Sequence, residues 1–137
     1  AVARRMRGVV IECLPASDVM AQHDGPETLY YVDPPYVHAT RALGAMHGHH
    51  GYRHEMTDAD HETLLAQLRG LRGMVVLSGY PSALYDRLLG DWHRVEREAL
   101  ADGAAKRTEV LWINAAAWGR LHDEREPLLS RATGDNA

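Results

Sequence analysis

The chain has 137 residues, 45% of them hydrophobic and 25% charged, and carries a formal net charge of −4. This supplies one domain with a core and excludes a disordered chain, and no run of about 18 apolar residues is present to form a membrane-spanning helix. The single cysteine, Cys13, rules out an internal disulfide framework and fits a reducing cytoplasm, while the acidic balance is not the footprint of a domain that grips DNA unaided.

The opening residues are basic but lack the apolar run of a signal peptide. The chain begins without methionine and in mid-element, so it reads as a fragment or a trimmed product. Val9 to Glu12 reads as a first strand. Ala16 to His23 reads as a short helix entered through Pro15, with Val19 and Met20 facing inward, and Asp24-Gly25-Pro26 as a turn. Leu29 to Val32 is a β-prone run that stops at Asp33-Pro34-Pro35-Tyr36, because proline fixes φ and lacks the N–H a ladder needs. A strand ending this way delivers an acid, a rigid bend and an aromatic ring to a sheet edge, where ligands of open α/β sheets sit.

Residues 37–56 form a long polar loop with His38, His47, His49, His50 and His54. Nothing in that glycine-rich stretch fixes ligand geometry, so no metal site is expected. Arg41 and Arg53 in this loop either contact phosphate or are solvated surface arginines. Thr57 with Asp60 three positions on makes a box-like helix start, and Leu64, Leu65, Leu68 and Leu71 form its apolar stripe. Met74 to Leu77 is a continuous apolar run, the pattern of a strand covered on both faces, ending at Ser78-Gly79-Tyr80. Pro81 to Leu89 reads as a helix with Leu84, Tyr85, Leu88 and Leu89 on its apolar face. Trp92 to Ala99 reads as an edge strand, Asp102 to Lys106 as a turn, and Glu109 to Asn114 as the last strand. Residues 119–137 read as a polar tail behind a domain at 1–118. The alternation of elements predicts an α/β fold with a mostly parallel sheet and one antiparallel strand from the final hairpin.

The stretch Asp33-Pro34-Pro35-Tyr36 after an apolar strand resembles the catalytic motif of S-adenosylmethionine-dependent DNA adenine-N6 methyltransferases of the Dam (D12) type. Residues 52–56, 74–80 and 107–114 resemble phage and prophage members of that family, so the likeness covers roughly residues 6–118. It implies a partial Rossmann-like methyltransferase fold, S-adenosyl-L-methionine as cofactor and double-stranded DNA as partner. It also implies that the Asp33 side chain and the Pro34 carbonyl accept the hydrogens of an adenine amine, with Pro35 fixing the bend and Tyr36 stacking on a flipped base. Ser78 and Tyr80 border the same cleft by this likeness, either shaping the adenine pocket or forming a structural turn, and Trp112 reads as core packing.

The likeness is to the catalytic half. The glycine-rich loop that holds the cofactor in the family has no counterpart here, nor does the DNA-recognition segment. Pro15 stands where relatives carry a cofactor-binding acid, with Glu12 and Asp18 as imperfect substitutes, and Glu12 and Asp33 are the expected cofactor contacts. A missing N-terminal half or a second chain would then carry the cofactor loop. Two alternatives stand beside this reading: an inactive remnant or accessory module, and an RNA amino-methyltransferase.

Overall fold

A computed structural model describes residues 2–37, 55–100 and 106–123. Its elements are α1 (Val2–Arg5), α2 (Ala16–Gln22), β1 (Leu29–Val32), α3 (Asp58–Gly70), β2 (Met74–Gly79), α4 (Ala83–Leu88), β3 (His93–Leu100), β4 (Lys106–Ile113) and α5 (Ala115–Asp123). The strands form one sheet in the order β1-β2-β4-β3. β1 and β2 pair in parallel, joined through α3, whereas β4 runs antiparallel to both of its neighbours. The α/β class is therefore as expected, and the sheet is mixed: one parallel pair and two antiparallel ones, with β4 inserted between β2 and β3. The β3–β4 hairpin and the edge position of β3 match the sequence pattern.

Local sequence explains most of these elements. Thr57 caps α3 in a full capping box: its hydroxyl oxygen accepts from the Asp60 N–H at 3.2 Å, and the Asp60 carboxylate accepts from the Thr57 N–H at 2.8 Å. Leu65 and Leu68 of the leucine stripe are fully buried, and Leu64 and Leu71 pack against the same cluster. On β2, Val75 and Leu77 are fully buried, whereas Met74 and Val76 are only half-buried, so the apolar run is packed on one face and partly covered on the other. The core joins these residues to Met20, Tyr85, Leu89, Val110 and Trp112. Trp112 is a core residue, as read from the sequence, and stacks edge-on against Tyr85 with ring centroids 5.0 Å apart.

Two sequence expectations need correction. Val9 to Glu12 forms no strand; Val10 and Ile11 are 79% and 86% exposed. A strand is stable only when another pairs with it, and β1, β2, β4 and β3 pair with one another without this segment. The last strand starts at Lys106 and stops at Ile113, leaving Asn114 to cap α5. α5 runs through the expected boundary at 118/119, so residues 119–123 are helical. The expected loop residues 38–54, the turn residues 102–105 and residues 124–137 lie outside the described residues.

Two polar anchors fix the register of β1 on β2. The Asp24 carboxylate accepts from the Arg72 N–H at 3.0 Å and the Gly73 N–H at 3.2 Å, while the Arg72 guanidinium donates to the Asp24 carbonyl at 2.7 Å. The Met74 N–H then donates to the Thr28 carbonyl at 2.8 Å, which starts the parallel ladder. Asn114 closes the same end from the other side. Its side chain accepts from the Val75 and Ala117 N–H groups and donates to the Gly73 carbonyl, so one amide side chain ties β2, the end of β4 and the start of α5. Gly73 permits this convergence, since a Cβ there would lie 2.7 Å from the Thr28 carbonyl oxygen and 2.8 Å from the Tyr30 ring.

Replacing Gly73 with alanine is expected to destabilise the fold by about 1–3 kcal/mol, because the clash is with backbone that cannot yield; denaturant unfolding measures it. Acid should act through the same anchor. Hydrogen bonds from the Arg72 backbone hold the Asp24 carboxyl below its ordinary value of 3.8, and Asp60 and Asp91 are lowered by Thr57 and Arg69 respectively. A carboxyl lowered on folding contributes stability that is complete above its unfolded value and is lost as pH falls through the folded one. Stability is therefore expected to drop below about pH 3.8, and Asp24→Asn should flatten that drop in a pH series of unfolding curves.

Candidate active site at the carboxyl ends of β1 and β2

Parallel pairing sends β1 and β2 out of the sheet at the same edge, so their following residues meet there. Val32 sits beside Leu77, and the next residues are Asp33 and Ser78. The Ser78 hydroxyl lies 3.0 Å from an Asp33 carboxylate oxygen and 3.2 Å from the Val32 carbonyl. Its one hydrogen is shared between two acceptors of β1, and so it holds the acid against the strand end. Asp33 itself is exposed, which leaves its remaining lone pairs open to another donor.

Pro34 and Pro35 follow the end of β1, and Tyr36 after them lies against Tyr80 just past the end of β2. The Tyr36 and Tyr80 rings touch, with centroids 4.3 Å apart and planes tilted by 35°. A small cavity of about 10 Å³ lies here, lined by Pro34, Tyr36, Val37, Ser78, Gly79, Tyr80 and Tyr85. That volume holds about one water molecule, whereas small-molecule sites span roughly 300–1,000 Å³. The two tyrosine rings thus fill the cleft between the strand ends.

Behind the cleft, Tyr85 is buried and its hydroxyl is 2.8 Å from His61 Nδ1. Burial pushes the Tyr85 hydroxyl up to about 12, so it stays a neutral phenol at any ordinary pH. Sequence reasoning did not single out this pair or Arg107, whose guanidinium donates to the Tyr80 hydroxyl at 2.9 Å. Both are contacts between elements far apart in sequence, and no local pattern encodes them.

The structure brings Asp33, Pro34, Tyr36, Ser78 and Tyr80 together. It does not bring Glu12 to them. Glu12 pairs with His23 at 3.6 Å, and the His23 carbonyl accepts from the Thr28 hydroxyl just before β1 begins. From Thr28 to Asp33 is five strand steps, about 16 Å at roughly 3.3 Å each. The two carboxylates expected to contact S-adenosylmethionine are therefore at opposite ends of β1, and the described residues do not fit that cofactor as a set. Arg41 and Arg53 lie outside the described residues. Several described arginines are committed to carboxylates: Arg69 to Asp91, Arg72 to Asp24, Arg87 to Glu62, and Arg94 to Asp86 and Glu96. Among the described residues no helix is long and apolar enough to cross a membrane, and no cluster of His, Cys, Asp and Glu is arranged to hold a metal ion.

Comparison with protein-family models and with curated proteins returned no match.

Removing the Ser78 hydroxyl should release Asp33 from the strand end. Ser78→Ala is expected to cost about 0.5–1.5 kcal/mol, the usual net worth of one hydrogen bond, and Ser78→Thr to retain most of it. Paired denaturant titrations of the two variants measure the difference.

Proposed function

We propose that this chain is the amine-binding, catalytic portion of an S-adenosylmethionine-dependent DNA adenine-N6 methyltransferase with a Rossmann-like sheet. The observation that carries the reading is the juxtaposition of Asp33, held by Ser78, with the Tyr36–Tyr80 ring pair at one sheet edge. The strand order lends support, since a final strand inserted antiparallel beside a parallel pair is the hairpin that the family resemblance implied.

The chemistry assigned to these residues concerns the amine alone. An adenine amino group is a weak nucleophile because its lone pair is conjugated into the ring. Acceptors that bind its two hydrogens let the nitrogen become more sp³-like as the reaction proceeds, which frees the lone pair. The Asp33 carboxylate and the Pro34 carbonyl are such acceptors, fixed by a serine on one side and a proline bend on the other, so little reorganisation is needed at the moment of reaction. A planar base held on Tyr36 presents its amino group to them.

In this reading the methyl-donor surface comes from chain outside the described residues or from a second chain. Two exposed features support a docking role at that side of the sheet. β1 is an outer strand whose Leu29 and Tyr31 are 62% and 66% exposed, and the unpaired segment Val9–Glu12 carries exposed Val10 and Ile11. The acidic net charge and the committed arginines agree with DNA being gripped mainly by that other part.

The test needs no cofactor. The intact chain should bind 2′-deoxyadenosine more tightly than purine deoxyriboside, which lacks the amino group, and Asp33→Ala should erase that preference. Tyr36→Ala should weaken both nucleosides by about 1–3 kcal/mol, the scale of one base–aromatic stack. Equal affinity of the wild-type chain for the two nucleosides, measured by calorimetry, would remove the proposed role of Asp33. S-adenosylmethionine alone is expected not to bind in the same calorimeter.

A further inference from the structure

The site contains a cation that the proposed amine chemistry does not use. Arg107 stands on β4, beyond the point where that strand pairs with the end of β2, since Gly79 is opposite Val110. Its guanidinium makes two contacts with one side chain: an N–H donates to the Tyr80 hydroxyl at 2.9 Å, and the guanidinium carbon lies 5.6 Å from the Tyr80 ring centroid. Tyr80 in turn touches Tyr36. Three strands thus contribute one residue each to a row: Arg107 from β4, Tyr80 from the end of β2, and Tyr36 from the corner after β1.

We propose that Arg107 is a positioning residue for an aromatic clamp, holding Tyr80 as the second wall against which a purine ring stacks opposite Tyr36. This rests on the functional reading above. At a centroid separation of 4.3 Å the two rings fill the cleft, and a planar ring between them needs a separation of roughly 7 Å, two contact distances of about 3.5 Å. One wall must therefore move outward while keeping its face turned inward. Tyr36 follows the rigid Pro34–Pro35 bend, so the moving wall is Tyr80. Arg107 is exposed, and its long side chain can follow the ring while still engaging both the face and the hydroxyl. Without that tether Tyr80 is free to turn its edge toward the cleft, and the entering base loses one of its two faces.

The test uses 2′-deoxyadenosine, a probe without phosphate, so that a direct arginine–phosphate contact cannot contribute. Binding to the intact chain is followed by NMR, alongside nuclear Overhauser effects between the Tyr36 and Tyr80 rings in the ligand-free protein. Arg107→Ala should weaken binding about fivefold or more, the scale of one cation–π contact plus part of a stack, and should reduce the ring–ring effects. Arg107→Lys, which keeps the charge, should recover much of both. Wild-type affinity in Arg107→Ala overturns the clamp while leaving the amine-binding reading intact. Weakened binding with unchanged ring–ring effects also overturns it, because Arg107 would then act on the nucleoside directly. No binding by the wild-type chain removes the functional reading and the clamp together.

Discussion

The parallel register of β1 on β2 is the constraint on which the site depends. A slip of one residue would turn every side chain of β1 to the opposite face and separate Asp33 from Ser78. The register is set at the opposite end of the strands, where Asp24 binds the Arg72 and Gly73 amides and Gly73 packs against the Thr28 carbonyl without a Cβ. Asn114 locks the start of β2 to the end of β4 and the beginning of α5. Polar groups at the amino ends of the strands thus determine which residues meet at the carboxyl ends, a strand's length away.

That division separates the polar anchors of the fold from the candidate site. The amino-terminal ends of β1 and β2 hold a dense, mutually satisfied polar network, while the carboxyl ends hold an exposed acid, a two-acceptor serine and two rings in contact. The buried layer between them, from Leu65 and Leu68 to Val75, Leu77 and Trp112, is rigid apolar packing. Tyr85 belongs to both regions. Its ring packs on Trp112 in the core, it lines the small cavity, and its hydroxyl reaches His61. The floor of the cleft is therefore tied to the core, which leaves the half-buried Tyr80 as the adjustable wall.

The sheet also has an unbalanced side. β3 closes one edge as a polar strand carrying Arg94, Glu96 and Glu98, the usual protection of an outer strand. β1 closes the other with Leu29 and Tyr31 exposed. The difference gives physical content to the reading that the cofactor-binding part meets this domain at β1. Glu12, expected as a cofactor contact from the family resemblance, pairs with His23 near the start of β1, away from Asp33 at its other end.

Much of the architecture was legible because it rests on local rules. Thr57 and Asp60 specify a helix start by their own hydrogen bonds, the leucine stripe specifies its buried face, and two prolines end β1 wherever the chain goes next. The alternation in β3 identified an edge strand for the same reason. Val9 to Glu12 misled, since β-propensity is a preference for a partner and only the assembled sheet decides whether one exists. α5 was missed because a run of three alanines before Trp118 and Gly119 has no strong apolar period, and its start depends on Asn114 bridging two strands. The sequence by itself determined the central strands and helices from Ala16 to Ile113, the acid at the proline bend and the aromatic residues at the strand ends. Only the tertiary structure decided that Ser78 orients Asp33, that Tyr36 meets Tyr80 and that Arg107 holds it, because these contacts join segments 27 to 45 residues apart and arise from strand register.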